Sequence, residues 1–449
     1  MPKMPINKYI DGYCSCGFSR FHMPGHKGKA LHGLEPRDIT EIQGADYLYE
    51  ADGIIAESEA LTSRIFGSAA TFYSTEGSSL SIKSMLAIIC QNRKDKQRKP
   101  LIIAPRNVHK AFINGCCLLD IDVKWVYPSK PSTELCSSDV TAVDIKKAIE
   151  ESKQLPDAVY ITSPDYLGNM ADIPAVSAIC EEYGVTLAVD NAHGAYLKFL
   201  ESSLHPIDLG ADICCDSAHK TLPVYTGGSY LHISKSAPES FIGCAKSAMA
   251  LFASTSPSYL IMGSLDRCLG ELQGDLPERI RACAEKVASV CERLLAIGWQ
   301  ALQNEPLKLT IQASCNGYTG QEIAEILRQH RIECEYADHR YIVLMCSPYN
   351  DDKDYERLIS AFSDIPRRGV KSENTDDIIP EAVVKVPIRE AYFSDYERLA
   401  VDKAEGRICA RTALSSTPSI PIIVSGELVT KDIIKILKKY SIFYVDVIK

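Results

Sequence analysis

Residues 211–231 read ADICCDSAHKTLPVYTGGSYL, and the fold turns on how this stretch is parsed. Ile213-Cys214-Cys215 is an apolar run too short and too β-prone for a helix, so it reads as a buried strand. Its C-terminal end carries Ser217, His219 and Lys220 toward the glycine pair Gly227-Gly228. In open α/β sheets, ligands gather beyond such strand ends. A loop lysine is ordinarily a solvated surface charge, so the rest of the chain has to give this one another role.

On the N-terminal side, Val185–Val189 is a continuous apolar run leading into Asp190. A helix precedes it, opened by Asp172 with an early Pro174 and closed by Gly184. Ala158–Thr162, Val123–Val126 and Leu101–Ala104 are further short strands, and Val140–Glu150 and His109–Leu118 are predicted helices. Ser229–Ile233 adds a strand on the other side. Strands and helices alternating every ten to fifteen residues imply crossover connections and a mostly parallel, buried sheet. Ile54–Cys90 reads as helical, and the Gly77-Ser78-Ser79 turn opens its second half. Such a turn offers backbone N–H groups, hydroxyls and the positive end of a helix dipole to a phosphate, or simply a serine cap.

Past a long helix, Pro277–Ile297, the texture changes to α+β. Leu307–Ala313, Cys334–Tyr336 and Tyr341–Cys346 are predicted strands. Thr319–Glu322 is a capping box opening Ile323–His330, and Asp354–Phe362 is a further helix. The chain thus divides into an arm of little regular structure (1–50), a large domain (51–275), a small α+β domain (276–366) and a C-terminal α+β domain (378–449). Arg367–Asp377 is the linker. The last unit holds a Pro-rich segment, Thr417–Pro421, and a closing helix, Lys431–Tyr440.

Composition narrows the function. The chain has 449 residues and a net charge of −9 without a basic block, which argues against a nucleic-acid partner. No stretch approaches a membrane span and no secretory leader is visible. Its 17 cysteines sit mostly in apolar runs without a CxxC pair, as expected of a reducing cytoplasm. Cys14, Cys16, His22 and His26 match no standard zinc spacing, and no metal is expected.

Asp190 and Lys220 each follow a buried strand, and Gly77-Ser78-Ser79 supplies an anion cup. A nucleophilic lysine, an acid for a protonated ring nitrogen and a phosphate cradle are the parts that pyridoxal 5′-phosphate requires. Each is ordinary alone; on one sheet they form a specific set.

These residues also carry a resemblance. FHMPGHKGK (21–29), the segment 44–79 ending STEGSS, RNVHKAFINGC (106–116), ITSPDYLGNMADI (161–173), VDNAHGAYLKF (189–199), DSAHKTLP (216–223) and STSPSYLIMGSLD (254–266) occur in the order seen in the bacterial ornithine/lysine/arginine decarboxylases. The chain resembles the short form of that family, including its C-terminal domain (389–410 and 417–427). The resemblance implies the aspartate-aminotransferase fold, type I of the pyridoxal-phosphate enzymes, and decarboxylation of arginine, lysine or ornithine to the amine. It implies that Lys220 holds the cofactor as an aldimine, Asp190 pairs with the ring nitrogen and His109 stacks on the ring. Ala192 and His193 line its side. Gly77, Ser78, Ser79 and Ser217 bind phosphate, and His219 flanks the lysine as a candidate proton donor alongside Lys220 itself. It further implies a homodimer with shared sites, open to higher assembly, in which Thr255 and Ser256 reach the partner's phosphate.

The chain departs from the family pattern at Glu76, Ser79, Asp165, Asn191 and the tail. Glu76 and Asp165 are extra acids that either meet a distal ammonium or weaken phosphate binding. Two other readings stand beside decarboxylation: an aminotransferase or C–S lyase using the same cofactor, with Arg407 or Arg411 as carboxylate clamps, and a non-catalytic relative binding polyamines or a partner enzyme.

Overall fold

The computed structural model describes residues 2–130, 133–369, 378–414 and 419–449. Most of the expected linker and part of the Pro-rich segment lie outside the described residues.

The chain opens with helix α1 (Pro5–Ser15), then α2 (Ile54–Phe66), strand β1 (Ala70–Ser74) and α3 (Gly77–Asn92). The alternation continues with β2 (Leu101–Pro105), α4 (Lys110–Leu119), β3 (Asp122–Val126), α5 (Ala142–Glu150), β4 (Ala158–Thr162), α6 (Ile173–Tyr183) and β5 (Thr186–Asp190). Strand β6 (Ile213–Asp216), the single turn α7 (Ala218–Thr221) and β7 (Ser229–Ile233) complete a seven-stranded sheet. Its order is β1-β7-β6-β5-β4-β2-β3. The five strands from β3 to β6 are parallel, whereas β7 and β1 run antiparallel to their neighbours. The mostly parallel sheet expected from the alternation is present.

Both faces of β2, β4, β5 and β6 are buried, which explains their near-continuous apolar sequences, whereas the edge strand β3 is half-buried. Ile102, Tyr160 and Ala188 pack toward α3 and α4, while Ile103, Val159 and Leu187 pack toward α5 and α6. Phe112 of α4 sits 4.4 Å, centroid to centroid, from Tyr160. Truncating such a fully buried aromatic costs about 3–5 kcal/mol.

Two expectations are corrected. The N-terminal arm contains the regular helix α1, because Pro5 starts it and Ile6 and Ile10 bury one face. Asp266 holds it in place by accepting from the backbone and side chain of Asn7. Residues 54–90 are also not wholly helical. Gly67 closes α2 at φ 73°, and ATFYS then pairs with β7 along the sheet edge. Short and followed by a second turn, β1 carries little periodic signal of its own.

Helices α8 (Glu239–Ala250), α9 (Tyr259–Leu272) and α10 (Leu276–Ala296) lead to a four-stranded antiparallel sheet. Its strands are β8 (Ala301–Leu302), β9 (Lys308–Gln312), β10 (Tyr336–Ala337) and β11 (Tyr341–Met345). The capping box at Thr319 and Glu322 forms as expected. In the last unit, Tyr396–Ala400 pairs with Tyr444–Ile448, and helix Lys431–Lys439 buries its apolar face in the same unit's core. That core is continuous with Leu135, Leu167, Tyr336 and Val343, so residues from both preceding units share it.

Candidate active site

The parallel strands deliver the chemistry at their C-terminal ends. His109 follows β2, Tyr166 follows β4, Asp190 ends β5, and Lys220 lies in α7 after β6. The register aligns Thr162, Asp190 and Cys215 across three neighbouring strands.

Lys220 is not a solvated loop residue. Its Nζ lies 3.0 Å from His193 Nε2. Burial lowers its pKa from the ordinary lysine value, partly offset by attraction to Asp190 and Glu335. Burial and the Lys220 charge push the His193 imidazole well below the usual histidine range. The neutral ring therefore accepts a hydrogen bond from the amine at Nε2, while its buried Nδ1 has no partner among the described residues.

Asp190 is fully buried and raised by desolvation, against which Lys220 and three donors favour the carboxylate. Those donors are Tyr160 Oη at 3.1 Å, the Ala192 amide at 3.2 Å and the Cys215 thiol at 3.7 Å. His109 caps α4, its Nδ1 accepting from the Ala111 amide at 3.2 Å. Burial, then the charges of Lys220 and Lys110, lower its pKa to about 4. The capping role and proximity to Lys220 coexist.

Helix α3 starts without a side-chain cap; the Gly77 amide donates to Gly227 O at 2.7 Å, and the amides of Ser78 and Ser79 are the ones left for an anion. Gly77 has φ 69° with open space where a Cβ would sit. Ser217 Oγ meets Ser78 Oγ at 2.8 Å, tying the lysine turn to this cup, and Ser79 is exposed beside it. His219 is held by its Nδ1 against Gly228 O at 2.9 Å. Thr255 and Ser256 are exposed on a loop whose Ser254 amide donates to Glu76 Oε1 at 2.7 Å. The uncapped amides, the paired serines, the buried acid and the unsatisfied His193 Nδ1 fit a phosphorylated aromatic aldehyde.

Residues 4–293 match the family described as "Orn/Lys/Arg decarboxylase, major domain". The chain belongs to the Orn/Lys/Arg decarboxylase family. Its chemistry is that of a pyridoxal-phosphate-dependent amino-acid decarboxylase. An arginine decarboxylase of Bacillus subtilis is 28% identical over 94% of this chain and 90% of its own length. Lysine decarboxylases of Francisella novicida (TM-score 0.82) and Escherichia coli (0.79) share the fold at 17% identity. They cover 99% and 100% of this chain, which in turn spans 81% and 82% of theirs. Among the described residues, no helix of this decarboxylase is long and apolar enough to cross a membrane.

Several site residues escaped the sequence. Tyr166 donates to Glu335 Oε1 at 2.6 Å and packs edge-on against His193. Glu335 belongs to the segment entering β10, where nothing in the pattern marks it. Lys308 and Glu305 form a buried pair at 2.8 Å behind Tyr196, and Lys308 also donates to the Asp165 carbonyl. The Asp165 carboxylate accepts from the amides of Leu167 and Asn169 and from Asn169 Nδ2, closing its own turn. Glu76 is likewise engaged, with the Ser254 amide. Arg407 donates to Glu397 and the Ile448 carbonyl, whereas Arg411 stacks on Tyr392 and Tyr396 and its buried Nε has no hydrogen-bond partner among the described residues. Cys14, His22 and His26 bond to Pro36, Tyr13 and Asp38 respectively and do not converge with Cys16 on a metal position.

Proposed function

We propose that this decarboxylase removes the α-carboxylate of a basic amino acid (arginine, lysine or ornithine), releasing CO2 and the corresponding amine. The observation that carries the substrate class is Glu335. Its carboxylate is steered by the Tyr166 hydroxyl and lies close enough to Lys220 and His219 to affect both. An anion at that distance from the lysine suits a substrate with a cationic far end.

Bound pyridoxal phosphate supplies an electron sink for the carbon that loses CO2. The protein's part is position and protons. Gly77, Ser78, Ser79 and Ser217 hold the phosphate. Asp190, whose carboxylate form Lys220, Tyr160, Ala192 and Cys215 favour against desolvation, would pair with the ring nitrogen, with His109 toward the ring face and Ala192 and His193 along its side. Lys220 would hold the cofactor covalently. Burial favours its neutral amine, and His193 Nε2, by accepting one of its N–H groups, orients the lone pair for attack. Lys220 or His219 returns a proton to carbon once CO2 has left. Thr255 and Ser256 complete the phosphate site of a partner subunit in a homodimer, the unit from which any larger assembly is built. The reduced thiols suit a cytoplasmic enzyme.

The test is CO2 release from purified protein given pyridoxal phosphate and each of arginine, lysine, ornithine and several neutral amino acids. A basic substrate should dominate, and Glu335→Gln should raise its KM at least about tenfold. Equal turnover of neutral and basic amino acids would sink the substrate reading. Borohydride reduction followed by peptide mass spectrometry should find the cofactor on Lys220, and another site would overturn that assignment. Arg407, committed to Glu397 and the Ile448 carbonyl, gives no support to an aminotransferase clamp.

A further inference from the structure

On the face of the sheet opposite Asp190 lies a second buried acid that the proposed chemistry leaves unused. Asp216 ends β6, one residue before Ser217, and is fully buried together with His205 and His232. Side chains alternate along a strand, and the register sets Asp190 beside Cys215. The acids at two adjacent strand ends therefore point to opposite faces.

Asp216 Oδ2 accepts from His205 Nε2 at 3.0 Å and His232 Nε2 at 3.1 Å. Oδ1 accepts from Asn191 Nδ2 at 2.7 Å. Both rings turn Nε2 toward the carboxylate as donors. His205 Nδ1 accepts from the Ile207 amide at 3.4 Å, which places its proton on Nε2. The Thr71 hydroxyl sits 2.8 Å from His232 Nδ1. Although burial raises the carboxyl, the two imidazoles hold it well below the usual carboxylate range.

Asn191 directly follows Asp190. Its backbone amide donates to Cys215 O at 3.0 Å, the last ladder bond between β5 and β6. Beyond that rung the Asn191–Asp216 side-chain bond continues the connection. The turn is shaped around it: a Cβ on Gly194 would lie 2.0 Å from Asn191 Oδ1.

We propose that Asp216 is a positioning residue for this site. Gripped by His205 and His232 and joined to Asn191, it fixes the strand end bearing Asp190 relative to the turn bearing Ser217 and Lys220. The inference rests on the roles proposed for Asp190 and Lys220. A misplacement of about 1 Å between such groups can cost on the order of a hundredfold in rate.

The test uses Asp216→Asn, Asn191→Ala and the exchange Asn191→Asp with Asp216→Asn. In the exchange, the amide now at position 216 donates to the carboxylate now at position 191, while its oxygen still accepts from both imidazoles. Hydrogen exchange of the cofactor-free proteins is read over 188–193 and 214–220. Each single variant should exchange there about tenfold faster, with 308–312 and 341–345 unchanged, and the double variant should return close to wild type. With cofactor, the singles should lose roughly 10–100-fold in kcat with KM within about threefold, and the absorbance band of the bound cofactor should shift. Wild-type exchange and kcat in both singles would overturn the proposal. So would uniform acceleration across the chain, or a double variant no better than Asp216→Asn. If Asp216→Asn does not fold, Asn191→Ala carries the test, because it leaves the carboxylate with both imidazoles. Wild-type protein without cofactor on Lys220 would overturn the site assignment, whereas the exchange data read the brace independently.

Discussion

In the proposed mechanism Asp190 carries one job that no neighbour can take over. Tyr160, Ala192 and Cys215 favour its carboxylate form, but none of them offers an anion to a ring nitrogen. Asp190→Ala should therefore still take up cofactor, more weakly, and lose turnover by at least about a hundredfold. Steady-state kinetics at saturating cofactor check this, and undiminished kcat would refute the electron-sink role. His109 yields a prediction about pH. Its folded pKa of about 4 lies below the 6.5 of an unperturbed histidine. Between those values the unfolded chain binds more protons than the native protein, so stability rises with pH through that window and is lost as pH falls. The full effect is on the order of 3 kcal/mol. His109→Asn keeps a helix cap without a titrating ring and should flatten the loss across that same window in urea melts of the cofactor-free protein. Asp190, Lys220 and the Gly77–Ser79 turn could be picked out as candidates because strand ends and a Gly-Ser-Ser turn announce themselves in one dimension, whereas His109 entered only through the family resemblance. Glu335, Tyr166 and Lys308 escaped, because their relevance comes from packing between units far apart in the chain.

Among elements, the most informative is the junction of β1 and α3. Gly77 holds φ 69° with no neighbour where a Cβ would go. Gly77→Ala should thus cost about 1–2 kcal/mol through backbone conformation alone, and its larger effect should be weaker cofactor binding, measurable by fluorescence titration. The start of β9 carries a different liability. Lys308 and Glu305 are both 1% exposed, so removing one partner strands the other. Lys308→Met should destabilise by about 3–5 kcal/mol, and Lys308→Met with Glu305→Leu should recover part of that loss in chemical denaturation. The alternating strands and helices were readable because each parallel strand is a closed apolar run bounded by turn residues. The edge strand β1 was not: ATFYS sits between two helices, and only pairing with β7 makes it a strand. Helix α1 escaped for a similar reason, since its short apolar face gains meaning from α9 and Asp266.

For the whole molecule, the proposed sharing of sites between two subunits makes a quantitative demand. Mixed subunits of Lys220→Ala and of a Thr255→Ala/Ser256→Ala double variant should regain activity on exchange, because a hybrid dimer contains one intact site. If neither variant is rescued after subunit exchange, that loop does not serve a partner's phosphate. The sheet order also has a consequence in time. Strand β1 finds its sheet neighbour in β7, at residues 229–233, and the phosphate cup begins three residues after β1 ends. On a growing chain β1 therefore lacks its sheet neighbour until more than half of the polypeptide has been made. Pairings this distant form late, because the loop entropy must be spent before the contacts repay it. In refolding experiments, protection of the amides over 70–74 should appear with or after that of 186–190, and cofactor capture should coincide with it. The family's coenzyme would then serve as a reporter that the edge of the sheet has closed.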